Sequence, residues 1–238
     1  MKKFLVSSVR RRLPRDFDVD RNFTPSYKPW DQRLCLAPDG DLFDVLADGS
    51  ASMRTSAIDR FTRRGLRLSS GEEIQADIVI TATGLRLLPL GGLPIRIDGV
   101  PVDVSDKVTY KGCMLDGVPN FVFVLGYTNA SWTLKADLVS RYVSRLLGYL
   151  DAHGFSVATP KRPTDTAELI PLIDLGSGYI RRSLAALPRQ GSEAPWRLNQ
   201  SYDADRRVLT RGHIADEMTF ATPSDARQFE MRSEGLPV

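Results

Sequence analysis

Gly126-Tyr127-Thr128-Asn129-Ala130-Ser131-Trp132 stands between an apolar run and a long periodic stretch, and its side chains suit a turn and a helix cap. A helix opening there aims unpaired backbone N–H groups at whatever lies in front of it, a favourable setting for an anionic or electron-rich ligand. Thr81-Ala82-Thr83-Gly84 is a second such place, because Ala82, Thr83 and Gly84 are small enough for a cofactor backbone to lie against them. Each has a plainer reading, as scaffold in the first case and as a strand-to-loop junction in the second. Arg33, in KPWDQRLC, reads on its own as a surface residue paired with Asp31. Cys113 has no histidine near it in sequence and reads as a small hydrophobe rather than a nucleophile.

The elements that must position these residues follow from pattern. Phe121 to Leu125 is apolar without alternation, as a strand covered on both faces would be, and Gly126 ends it. Leu134, Leu138, Tyr142, Leu146 and Leu150 then recur every four residues beside Val139, Val143 and Leu147, which predicts a long amphipathic helix closed by His153 and Gly154. Ile78-Val79-Ile80 predicts another buried strand, as the continuation of a hairpin whose arms are Gly65 to Ser69 and Glu73 to Thr81 around Ser70-Gly71-Glu72.

Upstream, Met1 to Leu13 reads as a basic amphipathic helix or frayed lead-in, with membrane-surface binding as a minor alternative. Pro14, Pro25, Pro29 and Pro38 predict an extended segment after it. Asp41 to Ala47 reads as a short helix capped by Asp39 or Asp41, and Ser50 to Thr55 and Ile58 to Arg64 as short strands. From Gly84 to Gly117 irregular chain is expected, with short strands at Pro94 to Ile97 and Val108 to Lys111. Gly176-Ser177-Gly178 imitates a dinucleotide-binding turn, but Pro171 sits in the strand it would need and Arg181 holds the third glycine position.

Composition narrows the classes. With 42% apolar and 26% charged residues the 238-residue chain is ordinary for a folded globular protein. The net charge of +3 is a small difference between scattered charges, which argues against nucleic acid as a partner. Cys35 and Cys113 form neither a disulfide framework nor a metal spacing, so no metal is expected and a reduced, cytoplasmic setting is. The start is neither a signal peptide nor a membrane span.

The motifs PWDQRLC, ADIVITATGL and GYTNASWTLKADL together resemble the flavin-dependent Baeyer–Villiger monooxygenases, close to the ethionamide-activating subgroup. The resemblance runs in order over most of residues 14 to 215, including a Ser-Gly-Tyr stretch, a helix such as Ile180 to Ala186, Pro195-Trp196, and Asn199, Gln200 and Tyr202. It implies an α/β fold: the closing part of an NADPH domain plus the C-terminal part of an FAD domain, a truncated form of a flavoprotein with two dinucleotide-binding domains. The division it implies is a lead-in over 1–30, the NADPH-domain segment over 31–77, the FAD-domain part over 78–222 and a frayed tail over 223–238.

It also implies chemistry. NADPH would reduce FAD, oxygen would form a C4a-peroxyflavin, and Arg33, after Tyr27, Pro29 and Gln32, would hold that peroxide and the nicotinamide cofactor. Gln32, Ala82, Thr83, Gly84, Tyr127, Asn129, Ala130, Ser131 and Trp132 are the implied cofactor-binding residues, and the substrate a small ketone or thio-compound. Yet the two glycine-rich turns that such enzymes use for FAD and NADPH pyrophosphates do not occur here. The expected function is therefore the C-terminal portion of such a monooxygenase, inactive without the missing N-terminal half, for which a separately encoded partner is one expected source. The alternative is a non-catalytic binding or complementation fragment, or a relic. Either way, the Phe121 to Leu125 run and the helix after it are expected to be partly uncovered.

Overall fold

In a computed structural model, residues 1–29, 31–32, 35, 37–128, 130–162 and 168–225 are described. The chain divides into two compact units, Met1–Leu85 with Leu175–Ser177, and Arg86–Asp174 with Gly178–Val238.

The first unit opens with helix α1 (Lys2–Arg12), where Val6 and Val9 supply an apolar face and Arg10 to Arg12 complement the carboxyl end of the dipole. It stops at Leu13, ahead of Pro14. The segment expected to run extended contains a short helix instead, α2 (Val19–Phe23), because no proline interrupts residues 15 to 24 and the Asp18 carboxylate accepts the Arg21 N–H at 3.0 Å. Helix α3 (Asp41–Ala47) forms as predicted but not on the predicted cap. Gly40, at φ +86°, takes that position, where a Cβ would fall 1.7 Å from the Arg12 guanidinium. Leu13, Val19 and Leu46 form the core of these helices, with Phe17, Phe23 and Phe43 packed beside it through tilted ring contacts.

Ser50 to Thr55 makes no strand, since Asp48 accepts both the Ser50 N–H (2.8 Å) and its hydroxyl (2.6 Å) and turns the chain. Strands β1 (Ile58–Thr62), β2 (Gly65–Leu68) and β3 (Glu73–Gln75) form an antiparallel sheet in that order, with the predicted hairpin between β2 and β3. Its last arm ends early. Ile78 to Ile80 is unpaired, with Ile78 81% and Ile80 87% exposed, so the buried strand expected there is absent. No neighbouring strand among the described residues offers it a ladder.

The second unit begins with hairpin β4 (Ile95–Ile97) and β5 (Val100–Val102), turning on Asp98 and Gly99, both at positive φ as a tight two-residue turn requires. A second hairpin, β6 (Thr109–Tyr110) and β7 (Met114–Leu115), turns through Lys111 and Gly112. Helix α4 (Trp132–His153) follows and closes on Gly154 at φ +68°. Strands β8 (Val157–Pro160) and β9 (Ile170–Pro171), helix α5 (Gly178–Ser183), strand β10 (Arg189–Gln190), helix α6 (Tyr202–Arg211) and strand β11 (Met218–Ala221) complete it. β8 pairs with β11 and β9 with β10, both antiparallel, so the Gly176-Ser177-Gly178 turn does not follow a parallel strand. The core joins Tyr110, Cys113 and Met114 of the second hairpin region to Leu138, Tyr142, Leu146 and Leu150 of α4, with Trp196 and Leu209.

Phe121 to Leu125, expected as a strand covered on both faces, pairs with no other strand, and Val124 is 42% exposed. A run of this composition needs sheet neighbours to bury its backbone. Among the described residues none is supplied. No described helix is long and apolar enough to cross a membrane.

Candidate cofactor-facing site

Ser131 occupies the N-cap position of α4, but its hydroxyl bonds the Thr133 hydroxyl and makes no capping bond to the backbone. No acidic side chain lies in the first turn, so the positive end of the helix is uncompensated by its own residues. Ala130 and Ser131 are exposed and Trp132 is 53% exposed. The Trp132 ring lies against Gly126, where a Cβ would meet its Cγ at 2.1 Å. Glycine at 126 is what lets strand-like chain and indole come together.

Behind this turn is a buried polar cluster that pattern reading missed. The Tyr127 hydroxyl and the Lys135 Nζ each donate to Asp205 Oδ2 at 2.8 Å, with all three residues buried. Burial, and then the hydrogen bond to Asp205, push the Tyr127 phenol above its ordinary range. Next to it, Gln200 Oε1 accepts the Thr128 N–H at 2.9 Å and its hydroxyl at 3.2 Å. Two residues near the start of α6 therefore hold the turn that precedes α4. The signal was available: Lys135 sits three and four residues before Leu138 and Val139, and Asp205 four before Leu209, both on buried stripes. Leu134 and Leu147, assigned to the α4 stripe by periodicity, are 41% and 56% exposed.

Beside the turn lies an open apolar cleft of about 290 Å³, walled by Leu87 to Gly91, Phe123 to Leu125, Trp132, Leu172, Ile173 and Leu187. Its walls come from irregular chain, where neither periodicity nor a motif marks them.

In the first unit, Ala82, Thr83 and Gly84 are exposed, and Gly84 has φ +110°, a conformation that side chains rarely tolerate. Gln32 is half-buried, bridges Pro29, and lines another apolar cleft of about 290 Å³ with Leu5, Val9, Phe23, Tyr27 and Cys35. Arg33 and Asn129 lie outside the described residues. Asp31, suggested as the partner of Arg33, accepts the Lys28 N–H at 2.9 Å.

Two further groups are buried without a place in this site. Lys111 is 3% exposed, donates to the His213 carbonyl and lies over the Tyr110 and Tyr142 rings at 5.1 and 5.3 Å; burial lowers its pKa. Cys113 is fully buried, and burial pushes its thiol up to about 12. Its inertness is testable: one fast-reacting thiol, the exposed Cys35, is expected in the native chain and a second only on denaturation. Two fast thiols under native conditions would contradict the packing of Cys113.

No protein-family model matches the chain. It is 52% identical over 217 residues to the FAD-containing monooxygenase EthA of Mycobacterium tuberculosis, a match covering 91% of this chain and 44% of that protein. The putative FAD-containing monooxygenase MymA of the same species is 46% identical over 91% of this chain and 44% of its own length. For the probable FAD-binding monooxygenase AlmA of Acinetobacter baylyi the identity is 45%, over 91% of this chain and 43% of that protein. A crystal structure of OTEMO in complex with FAD and NADP superposes with a TM-score of 0.58 at 16% identity, over 92% of this chain and 44% of that one. An FAD-bound form of OTEMO gives 0.55 at 21% identity over 68% of this chain and 32% of that one. The fold is thus shared with these flavoproteins, and the chain spans less than half the length of the curated relatives it matches. At 43–52% identity carried across 91% of its residues, the chain is homologous to the C-terminal 43–44% of proteins named FAD-containing or FAD-binding monooxygenases.

Proposed function

We propose that this chain supplies the C-terminal part of an FAD- and NADPH-dependent monooxygenase that inserts oxygen beside a ketone or oxidises a sulfur. The observation that carries the reading is the 52% identity to an FAD-containing monooxygenase over a stretch that includes the Gly126–Trp132 turn and the Ala82–Gly84 exit. When bound, FAD and NADPH supply the oxygen-activating and reducing chemistry.

Two sets of residues, one in each unit, are assigned to the flavin. Ala130 and Ser131 bring the uncompensated start of α4 toward an electron-rich group, and the exposed Trp132 ring offers an apolar wall. Ala82, Thr83 and Gly84 leave room for close approach, while Tyr127 acts from behind the turn through Asp205. Gln32 and Asn129 are assigned to the same cofactors, and Arg33 to an anion that its guanidinium neutralises. A pyrophosphate cradle is not among these residues. The proposal therefore includes a partner, an N-terminal portion carrying both glycine-rich turns. The segments 31–77 and 78–222 are assigned to the NADPH and FAD domains, between the lead-in over 1–30 and the tail over 223–238. A cytoplasmic setting is proposed as well, consistent with two free cysteines.

The test is Arg33→Ala in this chain assembled with such an N-terminal portion. Flavin reduction by NADPH is expected to survive, whereas oxygenation falls by about 100-fold or more. Unchanged oxygenation would remove Arg33 from the mechanism. Absence of a bound-flavin absorption spectrum from the assembly would remove the cofactor assignment itself.

A further inference from the structure

The entry of a helix is ordinarily fixed by its own N-cap side chain, which takes one of the unpaired N–H groups of the first turn. Helix α4 lacks that device, because the Ser131 hydroxyl is engaged with Thr133. The chain that enters it is held instead by side chains from around the start of α6. Asp205 Oδ2 takes the Tyr127 hydroxyl at 2.8 Å, and Gln200 Oε1 takes both donors of Thr128, its N–H at 2.9 Å and its hydroxyl at 3.2 Å. A backbone N–H can only donate, so it is the carboxamide oxygen of Gln200 that must face Thr128.

The base from which Gln200 reaches is itself tied down. Leu198 is buried and its N–H donates to Gln190 Oε1 at 2.7 Å, while Gln190 Nε2 donates to the Pro171 and Leu172 carbonyls at 2.9 and 3.1 Å. On the other side α6 begins at Tyr202 and packs into the core through Leu209. A short arm on a fixed base holds the Thr128 amide in one place. The two supports of the turn differ in burial. Asp205 is 2% exposed and neutralises Lys135, so its loss strikes the core; Gln200 is half-buried and leaves no charge stranded.

We infer that Gln200 is a positioning residue: through Thr128 it sets how the Ala130–Trp132 entry of α4 meets the flavin, separately from the stability of the fold. The inference rests on the flavin assignment made for that turn in the proposed function and adds a residue that acts through Thr128. The favourable field of a helix start falls off within its first turn, so a small displacement of the entry changes what it does to a ligand.

Two variants test the role. Gln200→Met keeps the length of the side chain and removes the acceptor, whereas Gln200→Glu keeps an acceptor oxygen. In the 238-residue chain alone, Gln200→Met is expected to speed amide exchange at Thr128 about tenfold with the thermal transition close to that of the parent, and Gln200→Glu to leave both near the parent. In the chain assembled with an N-terminal portion carrying both glycine-rich turns, Gln200→Met is expected to raise the FAD dissociation constant about tenfold and to move the visible absorption bands of the bound flavin. Gln200→Glu is expected to keep affinity and spectrum near the parent. Unchanged exchange at Thr128 in Gln200→Met would overturn the inference, and so would faster exchange with unaltered FAD affinity and spectrum, the result of a merely structural bond. Loss of the thermal transition in Gln200→Met, or equal losses of FAD affinity in both variants, would overturn it as well. An unaltered assembly that holds no FAD sinks the proposed function and this inference with it, whereas FAD held equally well by the parent and by Gln200→Met sinks the positioning role alone.

Discussion

Asp205→Ala is expected to destabilise the chain by about 3–5 kcal/mol, because it leaves a buried lysine charge without its counter-ion. Asp205 Oδ2 accepts from the Lys135 Nζ and from the Tyr127 hydroxyl, both at 2.8 Å, and Lys135 has no exposed surface. Water cannot reach the stranded ammonium without opening the packing, since Lys135 is fully buried and Gly112 lies so close that a Cβ there would stand 3.3 Å from its Nζ. Against a typical total of about 5–15 kcal/mol, such a loss is large. The pair itself need not be worth that much. Replacing both partners with apolar residues, as in Lys135→Met with Asp205→Leu, is expected to restore most of the stability, as buried ion pairs exchanged for hydrophobes commonly do. Urea unfolding of Lys135→Met, Asp205→Leu and the double variant closes the cycle, with a coupling of about 0.5–3 kcal/mol expected for groups in contact. A loss below about 1 kcal/mol for Asp205→Ala would mean that Lys135 finds water or another partner, contrary to its complete burial.

That cluster also marks where sequence reading stopped. The amphipathic period of α4 and its Gly154 stop, the β2–β3 hairpin and the α3 span were all legible, because local sequence alone decides them. So was the resemblance to the monooxygenases, from motifs of seven to thirteen residues. What was misread depends on neighbours distant in sequence. Ile78–Ile80 and Phe121–Leu125 have the composition of buried strands, and composition cannot say whether a ladder partner is present. Lys135 carries a charge at a position that belongs to the buried stripe; only the partner on α6, 70 residues away, makes that burial tolerable. At the candidate site, the Gly126–Trp132 turn was visible as turn chemistry. Its support by Asp205 and Gln200 was not, because nothing in local spacing ties residue 127 to 205 or 128 to 200.

Trp196→Ala is expected to cost about 3–5 kcal/mol, the range for deleting a large aromatic from a packed core. Trp196 is 3% exposed, and its ring meets that of Tyr110 edge-on with centroids 5.2 Å apart. Its backbone closes the loop at both groups, donating to the Glu193 carbonyl and accepting from the Gly191 N–H, each at 3.0 Å. The indole N–H donates to the Glu217 carboxylate, which offers a way to separate packing from polarity. Trp196→Phe keeps most of the ring and frees a carboxylate of an exposed residue that water can solvate, so its cost should be about 1–1.5 kcal/mol. Thermal and urea unfolding of the two variants decide the matter. Equal losses would assign the effect to the Glu217 bond, whereas a gap of about 2 kcal/mol or more assigns it to the cavity. The consequence would not stop at the core. Trp196 packs on Tyr110, the Tyr110–Leu115 hairpin carries Cys113, and the Cys113 carbonyl holds the Phe123 N–H of the Phe121–Leu125 run. In Trp196→Ala the exchange of the Phe123 amide is therefore expected to speed up along with that of the hairpin, and in Trp196→Phe to stay close to the parent.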